Sequence, residues 1–292
     1  MRHKKSVTIL SVVIMLLSII AATTGIFSTG GPGAYQVETV RGDQVTVYGK
    51  GIYKHMSIDV APQGIAQDYV TLFVAVPLLL ISLVWARKGS MKGRFLLAGT
   101  LSYFLVTYLF YLVMGMYNLL FLVYAALLGT SFFALSQTLF AIGLDNIADH
   151  FEPLTPVRST GGFLIFNSLT IGLMWLGIVI PPLLNGTIIP EQVEHYTTLI
   201  VQGLDLGLLL PLSFVAGLLF MKKKPMGYLL APVYFVFLSV LMTALTAKVI
   251  AMGLLGQNVI PAIIIIPLVA LISITCTFLI LKNIREADNE FA

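Results

Sequence analysis

The stretch Thr198–Phe220, TLIVQGLDLGLLLPLSFVAGLLF, decides the fold. It holds a single ionisable side chain, Asp205, and after Met221 it runs into Lys222-Lys223-Lys224. At about 1.5 Å of rise per residue, a helix of this length crosses the roughly 30 Å hydrocarbon core of a bilayer. A triplet of lysines at its end is what holds such a helix on one side of a membrane. Working outward, seven further apolar runs of similar length fill the chain. The eight predicted spans cover residues 6–27, 61–86, 95–114, 118–142, 161–182, 198–220, 227–252 and 259–281. Hydrophobic residues make up 58% of the 292 residues and charged ones 10%, against roughly 25% charged in a soluble domain. Lipid therefore solvates most of this chain. Because lipid offers the backbone no hydrogen-bond partner, the expected fold class is an all-α membrane bundle forming a single domain over residues 1–292.

The net charge is +4, and its distribution points to the membrane and away from nucleic acid. Thirteen of the 17 lysines and arginines, from Arg2 to Arg285, fall at one set of alternating loops and ends. Arg41, Lys50, Lys54 and Lys248 fall toward the other. The positive-inside rule places both termini of such a chain in the cytoplasm, which requires an even number of spans. The basic start followed by a long apolar run reads as an uncleaved signal anchor. The one cysteine, Cys276, lies inside the last span and reads as packing.

Residues 28–67 form the only sizeable segment outside the predicted spans. Glycine-rich breaks surround two alternating stretches, Tyr35-Val37-Thr39 and Val45-Val47, with Arg41-Gly42-Asp43 between them. This predicts a small β-hairpin on the outer face, with Arg-Gly-Asp as its polar turn.

An internal echo recurs at a spacing of about 134 residues. Gln67-Asp68 precedes Pro77-Leu78 and a basic loop ending in Met91-Lys92-Gly93. Gln202 and Asp205 precede Pro211-Leu212 and a basic loop ending in Met226-Gly227. The register pairs Pro77 with Pro211 and Gly93 with Gly227. It predicts a parallel 4+4 repeat of residues 1–142 and 161–282, with Asp68 and Asp205 as equivalent positions near the outer ends of the second and sixth spans.

Several of these stretches also resemble a family of bacterial polytopic integral membrane proteins. They are Gln67 to Leu72, Pro77 to Ser82, Gly93 to Leu97, Tyr103 to Leu105, Tyr117 to Leu122, Leu204 to Gly207 and Pro225 to Leu230. The resemblance implies a bacterial inner-membrane location and a shared helical architecture. It brings no activity, substrate, cofactor or site residue with it.

Chemistry has few places to sit. Asp205 lies roughly 10 Å below the outer surface, where an acid must be paired, protonated or functional. Gln202 precedes it by about one helical turn. Lys248, near the outer end of the seventh span, either snorkels to the headgroups or pairs with Asp205. Asp68 reads either as a partner of the second helix's dipole, with Asp59 as N-cap, or as a lining of an outer vestibule. Together Asp205, Lys248, Asp68 and Gln202 form the candidate polar pocket. Gln137 and Asn167 read as interhelical hydrogen-bonding amides. Tyr103, Phe104, Tyr108 and Tyr111 give the third span an aromatic face.

The four histidines fall in loops or termini, so none offers a haem ligand inside the bilayer. His-Glu-x-x-His, Walker, Cys-x-x-Cys and Gly-x-Ser-x-Gly patterns are absent from the sequence, and neither a catalytic residue, a metal site nor a cofactor is expected. His150 with Asp145, Asp149 and Glu152 reads as a solvated loop rather than a cation site. Two readings of function remain. One is a transporter-like protein with an outward-facing polar pocket for a small solute or ion. The other is a structural, sensory or accessory protein that meets a protein partner through its outer loop.

Overall fold

A computed structural model describes residues 4–286. Arg2 and His3 of the basic start lie outside the described residues. Among the described residues, eight helices are long and apolar enough to cross a membrane: α1 (Lys4–Phe27), α2 (Ala61–Arg87), α3 (Met91–Val113), α4 (Phe121–Ile142), α5 (Val157–Leu184), α6 (Ile200–Met221), α7 (Pro225–Leu254) and α8 (Ala262–Lys282). The expected span ends agree within about four residues. A two-stranded antiparallel sheet, β1 (Tyr35–Glu38) and β2 (Gln44–Val47), pairs Tyr35 with Val47 and Glu38 with Gln44. Gly42, at φ 84°, supplies the left-handed residue that its turn needs.

The helices pack as two groups around a central pair. In the first group α1 touches α2 and α4, α2 touches α3, and α3 touches α4. In the second, α5 touches α6, α6 touches α7, and α7 touches α8, but no comparable contact joins α5 to α8. The groups meet where α7 packs on α2 and α3. Gly99 permits the α3–α7 approach: a Cβ added there would fall 2.3 Å from Val236 Cβ and 2.7 Å from Val233 O. Small residues are the usual means of close packing where lipid supplies no hydrophobic drive between helices.

The echo at 134 residues has counterparts in backbone geometry. A π-turn occupies Thr71–Ala75 in α2, and another occupies Asp205–Leu209 in α6. Each begins 134 positions from the other, and each lies just ahead of a proline, Pro77 or Pro211. The sharp loops that follow also match. Lys88, Gly89 and Ser90 donate their N–H groups to the carbonyls of Val84, Ala86 and Trp85; Lys222, Lys223 and Lys224 donate to Leu218, Phe220 and Leu219. Both loops carry a positive φ at the middle residue, 96° at Gly89 and 53° at Lys223. Gly93 and Gly227 then let each loop close: a Cβ would lie 2.6 Å from Ala86 N at one and 2.3 Å from Phe220 N at the other.

At the basic face, the segment after α8 crosses the bundle. Ile284 bridges Phe151. Arg285 holds Glu152 through two hydrogen bonds of 2.8 and 3.0 Å. Glu286 accepts from Ser90 Oγ at 2.6 Å and from Met91 N at 2.7 Å, so a carboxylate completes the start of α3.

Candidate functional site

Both π-turns have the same local cause. A proline within a helix cannot donate its hydrogen bond, and its ring crowds the carbonyl one turn back. Widening the preceding turn by one residue relieves that crowding and leaves the helix continuous. Thr71 O accepts from Val76 N, and Asp205 O accepts from Leu210 N, in place of the regular pattern. The polar residues of the site sit on or just ahead of these widened turns.

On α2 the result is a closed nest. Asp68 is 2% exposed. Its Oδ2 accepts from the Tyr53 hydroxyl at 2.5 Å, and its Oδ1 lies 3.0 Å from the Tyr111 hydroxyl. Tyr111 is also 3.1 Å from Gly64 O. A phenol has one proton, so Tyr111 serves one of these two acceptors at a time. All the contacts are satisfied together when the carboxyl carries a proton and donates it to Tyr111. Burial holds the Tyr53 phenol well above its ordinary range, so Tyr53 remains a neutral donor. Gly25 of α1 completes the nest: a Cβ there would land 1.7 Å from Asp68 Oδ2. Beside it, Gln67 donates to the hydroxyls of Tyr103 at 2.7 Å and Thr107 at 3.3 Å.

The α6 turn opens instead onto a cavity of about 170 Å³. The cavity lies where α2 and α3 of one group face α6 and α7 of the other, and its wall is mostly apolar. Asp205 and Lys248 line it together with Gln67, Tyr111 and Tyr53. Asp205 Oδ2 accepts from Trp175 Nε1 at 2.8 Å. Among the described residues, the ion pairs are Arg41 with Asp43 and Glu191, and Glu152 with Arg285. Lys248 is in none of them and makes no hydrogen bond there. Gln67 Oε1 is buried with no partner. The cavity therefore gathers an ammonium and a carboxylate with a spare oxygen, in a setting where an unmet polar group is costly.

The segment between α1 and α2 roofs this cavity with Tyr53, Met56 and Val60. Several contacts tie that segment to the loop between α5 and α6, three of them short hydrogen bonds. Arg41 Nη1 donates to Ile189 O at 2.6 Å, His195 Nε2 lies 2.8 Å from His55 O, and Ser57 N donates to Tyr196 Oη at 3.0 Å. The Arg-Gly-Asp turn thus carries a structural contact as well as reversing the chain.

The structure brings Asp205 and Lys248 to one cavity and revises the other candidates. It shows no direct ion pair between them. Asp68 does not start α2, which begins at Ala61. It lies two turns inside, behind the phenols, and does not line the cavity. Asp59 does not cap that helix; its carboxylate accepts from Gln257 instead. Gln202 is half-buried on α6 and outside the cavity wall. In the register that superposes the prolines and π-turns, Asp68 corresponds to Gln202 and Thr71 to Asp205, so the two acids are one turn out of equivalence. Gln137 and Asn167 do not bond helix to helix: neither side chain has a hydrogen bond among the described residues, and Gln137 Oε1 is buried without a partner. In the second group the interhelical bonds run instead through Trp175 to Asp205, Ser213 to Leu164 O at 3.2 Å, Tyr234 to Leu209 O at 3.0 Å, and Ser239 with Thr277 at 2.8 Å. No group of three or more histidine, cysteine or acidic side chains stands together to hold a metal among the described residues.

Sequence reasoning gave no role to Trp175 or Tyr53. Trp175 is one of two tryptophans and lies in mid-span, away from the interfacial belt where tryptophan is common. That displacement was its signal. Tyr53 carried none. No family model, no curated protein and no solved structure matches this chain.

Proposed function

We propose that this protein is a solute carrier of the cell membrane, formed by two four-helix units related by the 134-residue echo, with both termini in the cytoplasm. The hairpin face then lies outside, as the distribution of basic residues implies, and a bacterial inner membrane fits the resemblance described above. The observation that carries the reading is the cavity between the two units, where Lys248 has no protein partner and Asp205 keeps an oxygen free. Packing groups would satisfy each other, and these two do not. The roof of Tyr53, Met56 and Val60 would act as the outer gate, held by Arg41, His55 and Ser57. Transporters built from repeats place their site at the interface between them, near broken or irregular helices. The alternative, an accessory protein working through its hairpin, is the weaker reading, because the tip of the hairpin engages the chain's own outer loop.

Cysteine accessibility tests the reading without knowledge of the solute. In a Cys276→Ser background, Leu245→Cys places one thiol on the cavity wall. A membrane-impermeant thiol reagent applied from each side of oriented vesicles should label it from the hairpin side, with access shifting between sides as the gate moves. A thiol that reacts from neither side under any condition rules out a carrier with this cavity as its site.

A further inference from the structure

Resting on the carrier reading, we propose that the cavity takes a small zwitterion with an apolar body, the chemistry of an α-amino acid with a hydrocarbon side chain.

Charge balance selects the class. The wall presents one ammonium without an acceptor, Lys248, and one carboxylate whose Oδ2 is engaged by Trp175 while its Oδ1 is free. The two do not pair with each other. A neutral solute would leave both charges unmet in a setting of low dielectric. A simple anion would satisfy Lys248 and leave Asp205, and a simple cation would do the reverse. A molecule with both charges meets both groups. Gln67 also belongs to the wall, its amide held by Tyr103 and Thr107. Asp68 is not part of the cavity wall, and its two oxygens are taken by Tyr53 and Tyr111.

Size and polarity fix the body. The space is about 170 Å³, and an apolar cavity of about 150 Å³ holds benzene. A ligand of about six to ten non-hydrogen atoms fits. Val106, Phe110, Leu209, Leu241 and Leu245 would receive its hydrocarbon part.

Trp175 provides the readout, since its indole N–H is bonded to Asp205. In a Trp85→Phe background it is the remaining tryptophan. The full chain, purified in detergent, is titrated with L-leucine, with 4-methylpentanoate and with 3-methylbutylamine. Trp175 emission is followed, and equilibrium dialysis of the labelled compounds runs in parallel. Leucine should bind saturably and at least about tenfold more tightly than either one-ended analogue, as expected when a buried charge loses its partner. Lys248→Met should erase the preference over 3-methylbutylamine, and Asp205→Asn the preference over 4-methylpentanoate. Equal or tighter binding of either one-ended compound overturns the zwitterion and leaves the carrier reading standing with a singly charged solute. Absence of binding by all three probes in dialysis also overturns it, and cysteine accessibility then decides the carrier reading separately.

Discussion

The first and second helix groups share a local scaffold and use it in opposite ways. In both, a π-turn precedes a proline and a tight basic loop closes on a glycine. In the first group α1 closes the bundle against α2 and α4, and the acid of α2 is sealed behind two phenols and Gly25. In the second, α5 and α8 do not close on each other, and the acid of α6 has one partner and an open side. The same backbone device therefore holds a buried structural carboxyl in one half and a cavity-lining carboxyl in the other. The difference lies in what surrounds the turn.

The largest effect expected from this contrast is at the sealed acid. Asp68→Leu leaves the Tyr53 hydroxyl buried without its acceptor and takes one partner from Tyr111, which keeps Gly64 O; the loss should cost about 1–3 kcal/mol and show as a clear fall in melting temperature in detergent. Asp68→Asn should recover most of that loss, because its amide donates to Tyr111, which then donates to Gly64 O. The matched change at the open acid, Asp205→Asn, should leave the melting temperature nearly unchanged. Equal losses at the two asparagine variants would break the comparison.

The shared part of the scaffold should respond equally in both halves. Gly93→Ala and Gly227→Ala each place a methyl against backbone atoms less than 3 Å away, which should cost about 1–3 kcal/mol through overpacking. Thermal unfolding of the two variants side by side measures this. A cost in one half alone would mean that the matching loops do not bear equivalent strain.

A smaller change of opposite sign is expected at Lys248. Lys248→Met removes an ammonium with no protein partner and keeps the apolar stem, so stability should rise by about 1 kcal/mol while the preference for leucine over 3-methylbutylamine is lost. A drop in stability would show that the lysine supports packing after all.

The smallest effect belongs to the strap at the basic face. Arg285 hydrogen-bonds the Glu152 carboxyl and holds it below its ordinary range. The pair's contribution is then present above the usual glutamate range and is lost as pH falls through the lower folded-state value. Both groups are exposed, and exposed pairs contribute little. Arg285→Gln should leave the melting temperature within the scatter of repeat scans at neutral pH and reduce its fall on acidification. A marked loss at neutral pH would make the strap a real clamp between the helix groups.

Much of the architecture was legible in the sequence. Residues 198–220 could be recognised as a span because the cost of moving a segment into lipid is a local sum over its side chains. The echo was legible because Pro77 with Pro211 and Gly93 with Gly227 mark backbone positions that few residues tolerate. Asp205 and Lys248 stood out because an ionisable group in an apolar run is expensive. Asp68 was misplaced to a helix start and Gln202 was wrongly enlisted, since spacing along a chain does not say which way a helix is turned.

What the amino-acid order determined by itself was the number of spans, their ends and the few charged groups inside them, all properties of single segments. The tertiary structure decided which side of each helix is covered. In water, polarity marks the outward face of a helix, but in lipid the outside is as apolar as the inside, so the pattern carries no such mark. The phenol nest around Asp68, the Trp175–Asp205 bond and the cavity shared by both halves arise from how eight helices are rotated against one another.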